Sequence, residues 1–187
     1  SHDAGLANPR QGFPAGQGPA NGGGASHGGR GDGNGIASYG DPLAPVTLGS
    51  GGNFVAGGGA IKLACPAGTA TISGTVRSNG VTSSRSGAGG SVYIVCSTFA
   101  GASTGLLQAN GGDPGGNNGG GGGRIAVSWT SSTYSGKYEC RGGLGDETFT
   151  GFGAAAGTLS LPESAALDLV VDREIGLAPG THTFRNV

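Results

Sequence analysis

Two strand-like sequences recur along this chain at one shared spacing, and that recurrence limits the fold more than any other feature. Gly58-Gly59-Ala60-Ile61-Lys62-Leu63 aligns with Gly89-Gly90-Ser91-Val92-Tyr93-Ile94 and with Gly122-Gly123-Arg124-Ile125-Ala126-Val127, so Ile61, Val92 and Ile125 fall at intervals of 31 and 33 residues. A weaker fourth copy is Ala156-Gly157-Thr158-Leu159-Ser160-Leu161. A second run keeps the same phase: Val76, Leu107 and Tyr138, within Thr75–Gly80, Leu106–Gly111 and Lys137–Gly142, lie 31 residues apart each time. A unit of this size with two short strands cannot bury its apolar side alone, and stacking successive units solves the problem.

The expected fold is therefore all-β: a parallel β-helix, or β-solenoid, with equivalent strands about 4.8 Å apart and long glycine-rich loops. Right-handed coiling is expected from the general preference of parallel crossovers. The core columns are Ile61 over Val92 over Ile125, and Val76 over Leu107 over Tyr138. Alternation sends Lys62, Tyr93 and Ala126 to the opposite face. The second strand ends in Asn-Gly twice and in Arg-Gly once, and Gly at those corners suggests a left-handed backbone. The glycine-rich excursions are Val81–Gly89, Gly112–Gly123 and Gly143–Ala155. They are expected to run close together as extended, polyproline-II-like segments, because no Cβ intervenes.

Composition bears on order and on partners. Glycine supplies 45 of 187 residues, charged residues only 11%, and the formal net charge is −1. Disordered chains usually carry high net charge, whereas this one is nearly neutral and clusters its apolar residues in short runs bounded by Gly. No basic footprint for nucleic acid exists, and no apolar run approaches the ~20 residues of a membrane span. The absence of Met and of a leader sequence suggests a processed or excised piece. Three regions are expected. Residues 1–52 are a Gly/Pro-rich irregular segment packing on or capping the coil, 53–163 hold the repeats, and 164–187 form a β segment, a cap or the start of another module. In that last region Leu167–Val171 and Thr181–Phe184 read as strands joined by the turn Leu177-Ala178-Pro179-Gly180.

The runs Gly89–Ile94, Gln108–Gly112 and Gly119–Val127, preceded by Gly23–Gly31, resemble a repeat of large glycine-rich secreted and cell-surface proteins. The resemblance covers about residues 20–161. It implies a parallel β-helix similar in shape to pectate-lyase and adhesin solenoids, and an extracellular or cell-wall setting. It brings no catalytic motif onto this chain.

Several residue patterns invite sharper readings. Cys65 and Cys96 each follow the equivalent Ile61 and Val92 by four residues, so they should stack on neighbouring rungs within disulfide range. A Cys65–Cys96 bridge in an oxidising compartment is expected, with Trp129 next in that column and Cys140 left over as a free or interchain thiol. Arg30-Gly31-Asp32 matches a cell-attachment tripeptide, a weak motif in a Gly-rich chain. Asp32, Asn34 and Asp41 offer too few oxygens for calcium, which wants 6–8 ligands. Gly119–Gly123 lacks the Lys-Ser/Thr of a phosphate loop. Asp113, Asp146 and Glu147 are the carboxylates available to a glycosidase. His2, His27 and His182 are scattered, with no nucleophile at a recognisable elbow. Tyr93 and Trp129 could stack on sugar, or simply pack.

The reading that follows is non-enzymatic, with no cofactor and no bound metal. It is a structural module of an extracellular or cell-surface assembly, such as a fibre, flagellar hair, sheath or wall protein, that acts through self-association or contact with neighbouring modules. A polysaccharide-binding adhesin is the alternative, and a carbohydrate-active β-helix enzyme ranks below it.

Overall fold

The computed structural model describes residues 23–33, 35, 37–52, 55–144 and 153–162, together with the backbone of three short strands between 166 and 186. Within these residues the regular structure is all strand. Each turn of the coil begins with a long strand: β1 (Ala60–Thr71), β4 (Ser91–Ala100) and β7 (Arg124–Ser128). A short strand follows each: β2 (Thr75–Arg77), β5 (Leu106–Gln108) and β9 (Lys137–Glu139). The excursions add β3 (Ser83–Arg85) and β6 (Pro114–Asn118), and β8 (Ser131–Ser132) continues the line of β7. The later strands are β10 (Thr158–Ser160), β11 (Ala166–Asp168), β12 (Gly176–Leu177) and β13 (Thr183–Asn186).

Every ladder is parallel. The main sheet runs β1-β4-β7-β10-β12, with β8 also on β4, and β2-β5-β9 form the second sheet. Ile61 pairs with Val92, Val92 with Ile125, Ile125 with Leu159, and Leu159 with Leu177. Val76 pairs with Leu107 and Leu107 with Tyr138. The shared period of the sequence is thus the rise of the coil, and the chain is a parallel β-solenoid of about three turns.

β-Branched and aromatic residues favour these strands because they fill a pleated, half-buried surface. Val92, Ile94, Phe99, Leu107 and Ile125 are fully buried between the two sheets. Burying a Leu-sized side chain stabilises the coil by about 1.5–3 kcal/mol. Where β7 stops short, aromatics close the lumen: Phe99 stacks on Trp129 at 5.6 Å and meets Tyr134 at 4.5 Å, and Tyr134 meets Tyr138 at 5.3 Å.

Within the excursions, β3 and β6 make a third small ladder. Three expectations are corrected here. Leu177, read as part of a turn, is a strand residue that continues the Ile61 column. Between them, β11 and β13 pair in parallel rather than as a hairpin. The corner glycines Gly80, Gly111 and Gly142 also lack the left-handed backbone expected of them; positive φ occurs at Gly33, Gly40, Gly101 and Gly116. Glycine stands at those corners because a Cβ on Gly80, Gly111 or Gly142 would overlap the carbonyl oxygen of Gly87, Gly120 or Ala154.

The same close approach builds the flank of the coil. The described residues between 23 and 52 lie along it, hydrogen-bonded to the excursions. Gly29 N donates to Gly122 O (2.8 Å), Gly121 N to Ala25 O (2.8 Å), Ala88 N to Ser50 O (3.0 Å) and Ala155 N to Arg30 O (2.8 Å). Excursions also bond to one another, as Gly89 N to Gly121 O (2.9 Å) and Gly143 N to Gly120 O (2.8 Å). Each such bond is worth only about 1 kcal/mol net, but a buried amide left without one costs more.

Candidate functional site

The first turn leaves the core open. On β1 the inward residues are Ile61, Leu63 and Cys65, in register with Val92, Ile94 and Cys96. Leu63 is 37% exposed, whereas Ile94 above it is 0% and Val127 on the next rung 2% exposed. Ile61, Cys65 and Val76 are likewise half-exposed while their second-turn partners are buried. Among the described residues no strand pairs with the other edge of β1 or of β2. A solenoid end in this state presents both unpaired backbone and lumen side chains, the combination that invites another chain.

Against the outer face of the main sheet, residues 39–47 cover the first column of the ladder. The buried Arg124 guanidinium donates to Tyr39 O through Nε (2.9 Å) and Nη2 (2.7 Å), and through Nη1 to Thr158 Oγ1 (2.9 Å). His27 is fully buried; Nδ1 lies 2.8 Å from Gly89 O and Nε2 2.8 Å from Thr47 Oγ1. Burial holds its pKa down at about 4, with the nearby Arg124 charge acting in the same direction. A neutral imidazole with both nitrogens occupied fastens the segment to the coil, so this polar cluster is a structural tie.

The cysteines stand where the spacing put them, with Cys65 and Cys96 directly opposite. The expected bridge is not formed, and all three thiols are free. Directly opposed residues of parallel strands keep their Cβ atoms near the ~4.8 Å strand spacing, beyond the ~3.5–4.5 Å Cβ separation a disulfide requires. Cys96 Sγ instead points to Ser128 O at 3.8 Å. Cys140 is buried and its thiol is pushed up to about 12 by desolvation, so it is closed to an interchain link.

Other expected site residues are equally occupied. Arg30 is exposed and its Nε donates to Gly35 O (2.6 Å), but Asp32 is buried at 5% exposure and accepts from Gly33 N (2.6 Å). An attachment tripeptide must offer its carboxylate outward, and this one does not. The amides of Gly120, Gly121, Gly122 and Gly123 donate to Gly112, Ala25, Ala155 and Ala109, so those four are already engaged and do not cradle a phosphate. Asp113 accepts from Leu144 N (3.0 Å) and pairs with Arg141 at 3.5 Å; Asp146, Glu147, Asn34, His2 and His182 lie outside the described residues. Tyr93, on the outer face, sits under the Lys62 ammonium at 5.3 Å, and Trp129 packs inward on Phe99. The two aromatics lie on opposite sides of one sheet and share no platform. Among the described residues no group of three or more His, Cys, Asp or Glu could hold a metal ion.

Sequence reasoning missed a polar ladder at the second corner. Asn79 Oδ1 accepts from Asn110 N (2.9 Å), and Asn110 Oδ1 from Arg141 N (3.0 Å). Beside it Asn79 Nδ2 donates to Gln108 Oε1 (2.8 Å) and Gln108 Nε2 to Glu139 Oε2 (2.6 Å). The signal was the recurrence of Asn at a 31-residue interval, read there as a turn preference.

Fold and open end together define a class: a glycine-rich parallel β-solenoid whose first rung, among the described residues, has no partner on its outer edge. No protein-family model matches the chain, and neither does any curated protein or any solved structure.

Proposed function

We propose that this chain is a structural module of an extracellular or cell-surface assembly, working by self-association rather than by catalysis. The observation that carries the reading is the open first turn, where Ile61, Leu63, Cys65 and Val76 remain partly exposed in columns that are sealed one rung on. Buried polar groups support it, because His27 and Arg124 are each spent on holding segments together; the partly exposed Asp113 is spent in the same way. The extracellular setting rests on the resemblance to glycine-rich surface repeats. Sedimentation velocity of the purified chain between about 1 and 100 μM tests the reading: growing oligomers support it, and a monomer throughout overturns it.

A second reading is favoured by one feature, an uncharged column of hydroxyls on the outer face. Thr69, Thr98 and Ser131 form an outward column, with Thr98 Oγ1 and Ser131 Oγ 3.2 Å apart. A regular row of hydroxyls suits the repeating hydroxyls of a polysaccharide. Retention on insoluble polysaccharide, lost in Thr98→Val, would favour this adhesin role.

A further inference from the structure

We propose that the first-turn end of the coil, the free edges of β1 and β2, is the docking surface for the C-terminal end of a second copy of this chain. The inference rests on the self-association reading and names its surface, its partner and its geometry. Three observations converge. The first is the ladder: β12 extends the main sheet past β10, and among the described residues no strand lies beyond β12 or beyond β1, so the register that joins successive turns within one chain ends at both edges of the sheet. An end-to-end contact of this kind is heterologous, and repeated it gives a filament rather than a closed dimer.

The second observation is charge. The first turn carries Lys62, Arg77 and Arg85 and no carboxylate; none occurs between Asp41 and Asp113. Eight of the 11 carboxylates lie from Asp113 onward, against five of the ten Lys and Arg. One end of the coil is therefore cationic and the later part of the chain acidic, which suits head-to-tail contact and opposes contact between two first turns.

The third observation is the state of the edge. Lysine, proline and bulges commonly protect edge strands, and β1 contains all three. Their placement leaves the edge open. Pro66 to Gly68 leave the ladder at the irregularity between Cys65 and Thr69, and the Lys62 ammonium is drawn back over the Tyr93 ring of the next rung. Ala60–Cys65 stays extended and available. Residues 1–22 suit this edge poorly, since Pro9, Pro14 and Pro19 cannot donate to a ladder and Leu6 and Phe13 are the only large apolar residues among them.

The test compares the full chain with the double variant Lys62→Glu/Arg77→Glu, both positions being exposed, and with Thr130→Glu as a control for added charge on the outer face. The expected result is that wild type and Thr130→Glu assemble, more weakly in high salt, while the double variant needs at least tenfold more protein and keeps the same circular dichroism and melting profile. Filaments that align should show their ~4.8 Å strand spacing along the fibre axis, and the alternate amides of Ala60–Cys65 that face away from β4 should exchange fast in dilute monomer and slowly in filaments. Unimpaired assembly of the double variant, or a strand spacing across the fibre axis, would overturn this docking surface while leaving self-association standing. Protection of those edge-facing amides in the monomer would show that the chain covers its own edge and would overturn the docking surface. A wild-type chain that stays monomeric removes the broader reading as well.

Discussion

His27 carries the clearest consequence at the scale of one residue. Its ring is held neutral down to about pH 4 against an ordinary 6.5. Between those values the unfolded chain binds a proton that the folded chain refuses, so stability must fall as pH falls. At about 1.4 kcal/mol per unit, the loss is about 1 kcal/mol from pH 7.5 to 5.5 and about 3 kcal/mol by pH 4. Urea unfolding at pH 7.5 and 5.5 should show it, and His27→Gln should flatten the difference. Cysteine gives a second expectation. Cys65 is half-exposed while Cys96 and Cys140 are buried with raised pKa values. One thiol should react with a disulfide reagent in native protein and three after unfolding; two protected as a bridge under non-reducing conditions would contradict the free-thiol structure.

Among the elements, the glycine-packed flank behaves differently from the strands. Its tolerance is set by carbonyl oxygens that cannot move aside. A methyl on Gly123 would overlap Gly90 O, while one on Gly74 meets nothing within 4 Å. Gly123→Ala should therefore cost about 3 kcal/mol or more, at the upper end of overpacking penalties. Gly74→Ala should be neutral or stabilise by about 0.4–1 kcal/mol through the unfolded state. Thermal unfolding of the pair reads the contrast, and equal losses would mean the close approach is not what requires glycine. In the strands the ordinary rule applies: Leu107→Ala, at a fully buried site, should cost about 2–5 kcal/mol.

For the whole molecule, the distinguishing quantity is the dependence of stability on concentration. If the exposed first turn is covered by another copy, native protein is drawn into assemblies and the melting temperature rises with protein concentration. The Lys62→Glu/Arg77→Glu chain should show no such rise. A melting point flat from about 1 to 100 μM in wild type would leave the open end unexplained.

Much of this was legible in the amino-acid order. Ladder register follows from the spacing of like residues, because a translational repeat has one rise per turn: Ile61, Val92, Ile125 and Leu159 had to align, and so did Val76, Leu107 and Tyr138. The opposition of Cys65 and Cys96 followed as well. Tertiary structure decided what those alignments permit. It kept the two thiols free because parallel strands hold opposed Cβ atoms too far apart, buried Asp32 out of a receptor's reach, and placed Tyr93 and Trp129 on opposite faces. It also turned corner glycines into points of close contact and, among the described residues, left the first rung without a neighbour on one edge. Spacing along the chain fixes which residues become neighbours; only packing in three dimensions determines how near they come, which way they face and what remains exposed.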